Sequence, residues 1–342
     1  MAKEYNRSRL SQIRRKCFSF VTKTNTVRFL VTGCAGFIGS TLVDRLLSHG
    51  HDVVGVDNFS TGQRRFLEQA MKNPAFSLVE ADLTNVKADV FNGVEYVFHF
   101  AANADVRFGT QHPRRDLEQN TIVTFNVLEA MRSNRISRIA FASTGSVYGE
   151  TTIVPTPEDA PFPIQTSLYG ASKLAGEGLI AAYCEGFGFQ AHIFRFVSIL
   201  GDRYTHGHVF DFVGQLKSDP DRLVVLGDGS QRKSYLDVED CISAMLLAIK
   251  QTDCKVNIFN LGTDEYCKVN DSIRWICQML GVSPDLHYTG GDRGWIGDNP
   301  FIYLDTSRIR SLGWKPKLSI EEGVKRTVRY LLENPWVFEA RL

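Results

Sequence analysis

From Val27 onward, short apolar runs alternate with longer stretches in which apolar residues recur every three to four positions. Residues 27–32, 52–56, 76–79, 96–100, 139–142 and 191–196 are apolar almost throughout. Runs of this length without polar alternation predict strands covered on both faces. Between them, a helical stretch passes through Leu46 and Leu47 and stops near Gly50. Residues 120–132 place Val123, Val127, Leu128 and Met131 on one helical face, and 168–185 reads as another long helix. This βαβα rhythm predicts an α/β fold, a doubly wound parallel sheet with right-handed crossovers.

After Gly201 the rhythm breaks. Short apolar runs at 223–226 and 258–261 mix with helices at 238–249, 269–280 and 320–332. Residues 285–300, with four glycines, read as a loop. The expected division is a basic extension at 1–26, a first domain at 27–200, and a smaller lobe at 201–342 with some segments returning to the first.

The extension carries Lys3, Arg7, Arg9, Arg14, Arg15, Lys16 and Lys23 against one acid, Glu4. No apolar segment with a small-residue cleavage site follows, so it is not a secretory signal. It reads as flexible or loosely docked, with a mild helical stripe at Leu10, Ile13, Cys17, Phe18 and Val21. The net charge of the chain is only +1, which gives no argument for nucleic acid as a partner. No apolar run reaches the length of a transmembrane helix, so membrane insertion is not expected. The seven cysteines form no CxxC pair. That argues against a disulfide framework and a structural zinc site, and favours the cytoplasm; no metal is expected.

The candidate chemistry begins between the first strand and the first helix, at Thr32-Gly33-Cys34-Ala35-Gly36-Phe37-Ile38-Gly39. Glycines there allow a tight turn and let backbone approach a pyrophosphate, which the helix N-terminus attracts. The next strand ends in Asp57, an acid placed to accept both hydroxyls of an adenosine ribose. The same carboxylate repels a 2′-phosphate, so the expected cofactor is NAD, although Arg64 and Arg65 lie nearby.

Tyr169-Gly170-Ala171-Ser172-Lys173 opens the helix at 168–185. Positions i and i+4 share a helix face, so phenol and ammonium meet. A free tyrosine is a poor base at neutral pH. A neighbouring ammonium and a cationic nicotinamide ring would both lower its pKa toward the range a general base needs. Upstream, Ala142-Ser143-Thr144-Gly145-Ser146 ends a strand, where hydroxyls face the crevice of a doubly wound sheet.

With these motifs in place, the chain from Val27 on resembles the extended short-chain dehydrogenase/reductase family, and within it the nucleotide-sugar 4-epimerases. The further segments that carry the resemblance are Asp57-Asn58-Phe59-Ser60-Thr61-Gly62, Val97-Phe98-His99-Phe100-Ala101-Ala102, Val147-Tyr148-Gly149 and Gly227-Asp228-Gly229-Ser230-Gln231. The resemblance implies a Rossmann domain holding NAD and a C-terminal substrate lobe. It implies that Gly33, Gly36, Phe37 and Ile38 meet the pyrophosphate, that Asp57 meets the ribose, and that Asp82 and Leu83 flank the adenine. Asn58, Ser60, Thr61, Gly62, Phe100, Ala101, Ala102, Asn120 and Phe196 complete the cofactor set, with Tyr169 and Lys173.

Relatives that eliminate water or decarboxylate carry an acid just before Val147-Tyr148-Gly149. This chain has Gly145-Ser146 there, which resembles the epimerases, and Thr144 matches the hydroxyl beside their catalytic tyrosine. The implied substrate is a nucleotide sugar, a UDP-sugar first, inverted at C4 through a 4-keto intermediate by Thr144, Tyr169 and Lys173. Ser146 and Ser198 are substrate candidates; relatives often have Asn at the second position. The usual phosphate-gripping Arg aligns with Lys233, preceded by Arg232, and Arg293 is a further phosphate candidate. His206 and His208 bracket Gly207 where substrate loops run. The resemblance also implies a homodimer through the helices at 120–132 and 168–185. The competing readings are a dehydratase, decarboxylase, 2-epimerase or dehydrogenase of the same family, and a non-catalytic NAD-binding regulator.

Overall fold

The structure is a computed structural model that describes residues 26–161, 164–295, 297–299 and 301–339. The basic extension up to residue 25, with its helical stripe, lies outside the described residues. The first half supplies strands β1 (Arg28–Thr32), β2 (Asp52–Asp57), β3 (Phe76–Glu80), β4 (Tyr96–His99), β5 (Arg138–Thr144) and β6 (Gln190–Phe196). After them come β7 (Ser198–Leu200), β8 (Arg222–Val225), β9 (Arg232–Lys233), β10 (Tyr235–Asp237), β11 (Val256–Leu261), β12 (Cys267–Lys268), β13 (Asp285–Tyr288) and β14 (Phe301–Ile302). The longer helices are α1 (Phe37–Ser48), α2 (Val123–Ser133), α3 (Leu168–Phe187), α4 (His208–Ser218), α5 (Val238–Gln251), α6 (Val269–Leu280) and α7 (Ile320–Glu333).

Seven strands form one parallel sheet in the order β3-β2-β1-β4-β5-β6-β11. The apolar runs belong to strands covered on both faces, except that of the edge strand β3, which is only partly buried. On β1, Phe29 and Val31 face a layer with Leu42, Val43 and Leu46 of α1, while Leu30 faces a layer with Val127, Leu128 and Ile180 of α2 and α3. The chain order reverses between β1 and β4, and a crevice opens at that point beyond the carboxyl ends of the strands. This is the Rossmann arrangement, with β11 added at one edge and the smaller C-terminal lobe beside it.

The small sheets outside the main one are β10 with β7, β12-β9-β14, and β13 with β8. Here the structure corrects the loop expected over 285–300, since Asp285–Tyr288 is a strand parallel to Arg222–Val225. All four of its residues are exposed, so no buried face left a pattern in the sequence; backbone pairing alone makes the strand. A second difference precedes α2. The helix expected from residue 120 begins earlier, with one π-helical turn at Leu117–Ile122 that carries Asn120.

Candidate active site

The glycine loop is built for close approach. Gly33 has φ +67°, and a Cβ there would stand 2.8 Å from the Ala101 amide nitrogen on the next strand end. A Cβ on Gly39 would fall 2.1 Å from the Gly33 carbonyl oxygen, so α1 packs against the loop only because that atom is missing. The N-cap of α1 is Gly36, which offers no side-chain acceptor, and the first amides of the helix keep their hydrogen-bonding capacity. Asp57 ends β2 and is nearly buried; its carboxylate accepts from the amides of Ala35 (2.8 Å) and Phe59 (2.9 Å). Burial raises its pKa, and these amide bonds act against that shift. An uncapped helix start, a Cβ-free turn and a strand-end acid together fit the pyrophosphate and ribose of a dinucleotide.

A cleft of about 380 Å³ runs from this loop across the sheet, within the size range of cofactor sites. Its wall brings together Gly33, Gly36, Phe37, Ile38, Asp57, Asn58, Ser60, Thr61, Gly62, Leu83, Phe100, Ala101, Ala102 and Phe196. At its far end it brings together Thr144, Tyr169, Lys173, Ser146, Ser198 and His206. Two predicted cofactor residues, Asp82 and Asn120, are not part of the wall. The Asp82 carboxylate caps its own turn, accepting from the Thr84 amide and hydroxyl and from Asn58 Nδ2. Asn120 is buried; its Oδ1 accepts from the Asn103 amide (2.8 Å) and its Nδ2 donates to Ser172 Oγ (2.9 Å).

The hydroxyl, phenol and ammonium converge because two elements, β5 and α3, meet. Ser167 caps α3 by accepting from the Gly170 amide, which sets Tyr169 in the first turn, facing the end of β5. The Thr144 hydroxyl accepts from the Ser146 amide (3.1 Å) and reaches the Tyr169 phenol. Lys173 is 2% exposed, donates to the Ala142 carbonyl (2.9 Å) and stands 4.8 Å from the Phe141 ring centre. Burial pulls its pKa down to about 7, against the attraction of Glu177 and Asp116. Tyr169 differs from expectation: burial pushes its phenol up to about 12, and the Thr144 hydrogen bond offsets this only in part. The lowering expected from Lys173 does not appear; burial dominates, and the Asp116 charge adds to the rise.

The remaining substrate candidates stand apart from the cleft wall. His208 pairs with Ser272 Oγ (2.7 Å) and lies against the Tyr235 ring; burial first, and the Lys233 charge second, push it down to about 3. Arg232 stacks 3.8 Å above the Phe301 ring. Lys233 donates to Asp298 Oδ1 (2.7 Å) and to the Asn299 carbonyl. Arg293 pairs with Glu150 (2.5 Å). Lys233 thus ties Asp298 and Asn299 to the lobe, while Arg293 reaches across to Glu150 of the first domain.

Sequence reasoning missed other wall residues: Asn103, Asp105, Gln119, Tyr204, Thr205 and Ile302. Tyr204 packs edge-on against Phe37 of α1 at 5.8 Å, a contact across 167 positions that no local pattern announces. Among the described residues, no group of three or more His, Cys, Asp or Glu side chains could hold a metal ion. No described helix is long and apolar enough to cross a membrane.

Comparison with known proteins agrees with this geometry. The model of the NAD dependent epimerase/dehydratase family matches residues 29–262. A putative UDP-glucose 4-epimerase of Methanocaldococcus jannaschii is 35% identical over 89% of this chain and 98% of its own length. The crystal structure of the UDP-glucose 4-epimerase of Thermotoga maritima with UDP-glucose is similar at 32% identity and TM-score 0.82, covering 90% of this chain and all of the other. A UDP-glucuronic acid 4-epimerase from Bacillus cereus, in complex with UDP-glucuronic acid and NAD, is similar at 26% identity and TM-score 0.82, covering 90% and 99%.

Proposed function

Because the chain belongs to the NAD dependent epimerase/dehydratase family, we propose that it inverts C4 of a UDP-sugar through a transient 4-keto sugar. Its cofactor is NAD. The observation that carries the reading is the meeting of Thr144, Tyr169 and Lys173 at one end of the cleft, beside a turn, Gly145-Ser146, that holds a hydroxyl and no carboxylate. Elimination of water needs an extra acid; inversion does not.

Gly33, Gly36, Phe37 and Ile38 hold the pyrophosphate of NAD, Asp57 the adenosine ribose, and Leu83 the adenine edge. When bound, NAD supplies the acceptor for the C4 hydride and the donor that returns it. Tyr169 takes the proton of the C4 hydroxyl as the C–H bond breaks, and gives it back to the keto oxygen, so no proton is consumed. Thr144 holds the phenol and the sugar hydroxyl in line. Lys173 offers positive charge, which opposes the burial cost of the phenolate. Ser146, Ser198 and His206 face the sugar. His208, Arg232, Lys233 and Arg293 shape the lobe that closes over it.

On the same reading the protein works in the cytoplasm, where its cysteines stay as thiols, and has no nucleic-acid partner. It pairs as a homodimer: Leu117, Ile122, Phe125, Leu168 and Phe187 are exposed on the adjoining π-helical turn, α2 and α3. The test is incubation with a panel of nucleotide sugars without added NAD, with products read by chromatography and mass detection. An isomer of unchanged mass, abolished by Tyr169→Phe, is expected. A product lighter by water or carbon dioxide overturns the reading. Light scattering on the same preparation should give twice the chain mass, reduced by Phe125→Asp.

A further inference from the structure

Tyr169, Lys173 and Glu177 stand at i, i+4 and i+8 of α3, on one helix face. Glu177 is 5% exposed, a buried carboxylate one turn below the ammonium. Both of its oxygens are engaged. Oε1 accepts from the Ser143 hydroxyl and from Arg195 Nε (3.0 Å), and Oε2 accepts from the other arm of the same guanidinium (2.7 Å). Arg195, on β6, is 1% exposed and also donates to the Tyr148 hydroxyl (2.7 Å), which donates to Asn260 Oδ1 on β11 (2.8 Å). Ser143 precedes Thr144 on β5. One carboxylate therefore joins the helix that carries the phenol and ammonium to the strand end that carries the hydroxyl.

We propose that Glu177 is a positioning residue of the reaction: it holds the Lys173 ammonium in its charged form and fixes the end of β5 against α3, so that Thr144 meets Tyr169. The proposal rests on the reading of Tyr169 and Lys173 as the acid–base pair. The groups facing Lys173 divide plainly. On its own helix are Tyr169 and Glu177. From the 113–116 turn comes the Asp116 carboxylate, which attracts it more weakly than Glu177 does. From β4 comes His99, held neutral because burial pushes it down to about 3. Arg195 lies beyond Glu177 and balances its charge without reaching the lysine. The two-pronged Arg195 guanidinium supplies the opposite charge and hydrogen bonds that a lone buried carboxylate would lack.

The sign follows from the charge. Lys173 loses its proton as pH rises through about 7. Removing the Glu177 charge disfavours the ammonium, so the proton is lost at a lower pH. In Glu177→Gln the alkaline limb of kcat should move to lower pH by about one unit, with KM nearly unchanged, and Glu177→Asp should restore the limb. The titration of the Lys173 Nζ resonance, assigned with Lys173→Met, should move by the same amount and does not depend on turnover. A shifted resonance without any sugar turnover would sink the epimerase reading and leave the charge coupling standing. A pH profile and resonance that superimpose on the parent would overturn the proposal, whatever the drop in rate. Should Glu177→Gln fail to fold, Ser143→Ala keeps the ion pair and tests the tether. A fall in kcat of about tenfold at constant KM supports it, and an unchanged kcat overturns it.

Discussion

Burial works against both members of the reactive pair: it lifts Tyr169 to about 12 and drops Lys173 to about 7. Each neutral form is favoured, so the charged pair forms only where other charges are supplied, by Glu177 and Asp116 for the ammonium and by the cofactor for the phenolate. Cofactor retention is therefore part of the chemistry, and it depends on single atoms. Gly33→Ala places a methyl group 2.8 Å from the Ala101 amide at a residue with φ +67°. The left-handed backbone alone costs about 1–2 kcal/mol, and the contact forces the loop from the strand end. The expected outcome is a folded protein that has lost most of its NAD, measured by releasing and assaying the nucleotide from the purified chain. A variant that keeps the parent's NAD content would show that the loop does not govern binding.

At the scale of elements, what the sequence made legible followed burial. Five of the six strands of the first half are mostly apolar because both faces are covered, the edge strand β3 being only partly buried, and all six fell within one or two residues of expectation. The reactive pair was legible because i, i+4 spacing on a helix is local. Glu177 obeyed the same spacing one turn further on, but a carboxylate in a helix reads as solvated surface until its arginine, 18 positions later on β6, is seen beside it. β13 was illegible because none of its side chains is buried. The basic residues of the second lobe were read as phosphate-binding by resemblance, whereas the structure engages Lys233 with Asp298, whose other oxygen accepts from the Gly294 amide. Lys233→Met removes one partner of a nearly buried pair and strands Asp298. A loss of about 3 kcal/mol is expected, with KM for the nucleotide sugar rising more than kcat falls as the 293–299 segment loosens. Denaturant melts and steady-state kinetics check both. Unchanged stability would mean that the pair is solvated, and a pure kcat loss would mean that Lys233 acts on the reaction itself.

Among the described residues, three histidines, His99, His192 and His208, tie layers together in their neutral form. His99 bridges Thr32 Oγ1 of β1 (2.8 Å) and Thr124 Oγ1 of α2 (3.1 Å). His192 bridges the Tyr96 hydroxyl and Thr252 Oγ1, both at 3.1 Å. His208 joins α4 to α6 through Ser272. Burial lowers them to about 3, 4 and 3. In the unfolded chain each titrates near its ordinary value of about 6.5. As pH falls below that value the unfolded state takes up protons that the native state refuses, and native stability drops. Each proton is worth about 1.4 kcal/mol per pH unit, so the slope approaches about 4 kcal/mol per unit once all three are charged in the unfolded chain. Asp57, Asp116 and Glu158, raised by burial, act in the opposite direction, from their raised native values down to the ordinary carboxylate range. Urea unfolding at fixed protein concentration should therefore weaken steeply between pH 6.5 and 5.5. His192→Gln, which keeps a polar side chain but cannot titrate, should reduce the slope by about one proton. Stability that stays level or rises over that interval would show that these histidines are protonated in the native protein, and that the ties across the sheet are made by charged rings rather than neutral ones.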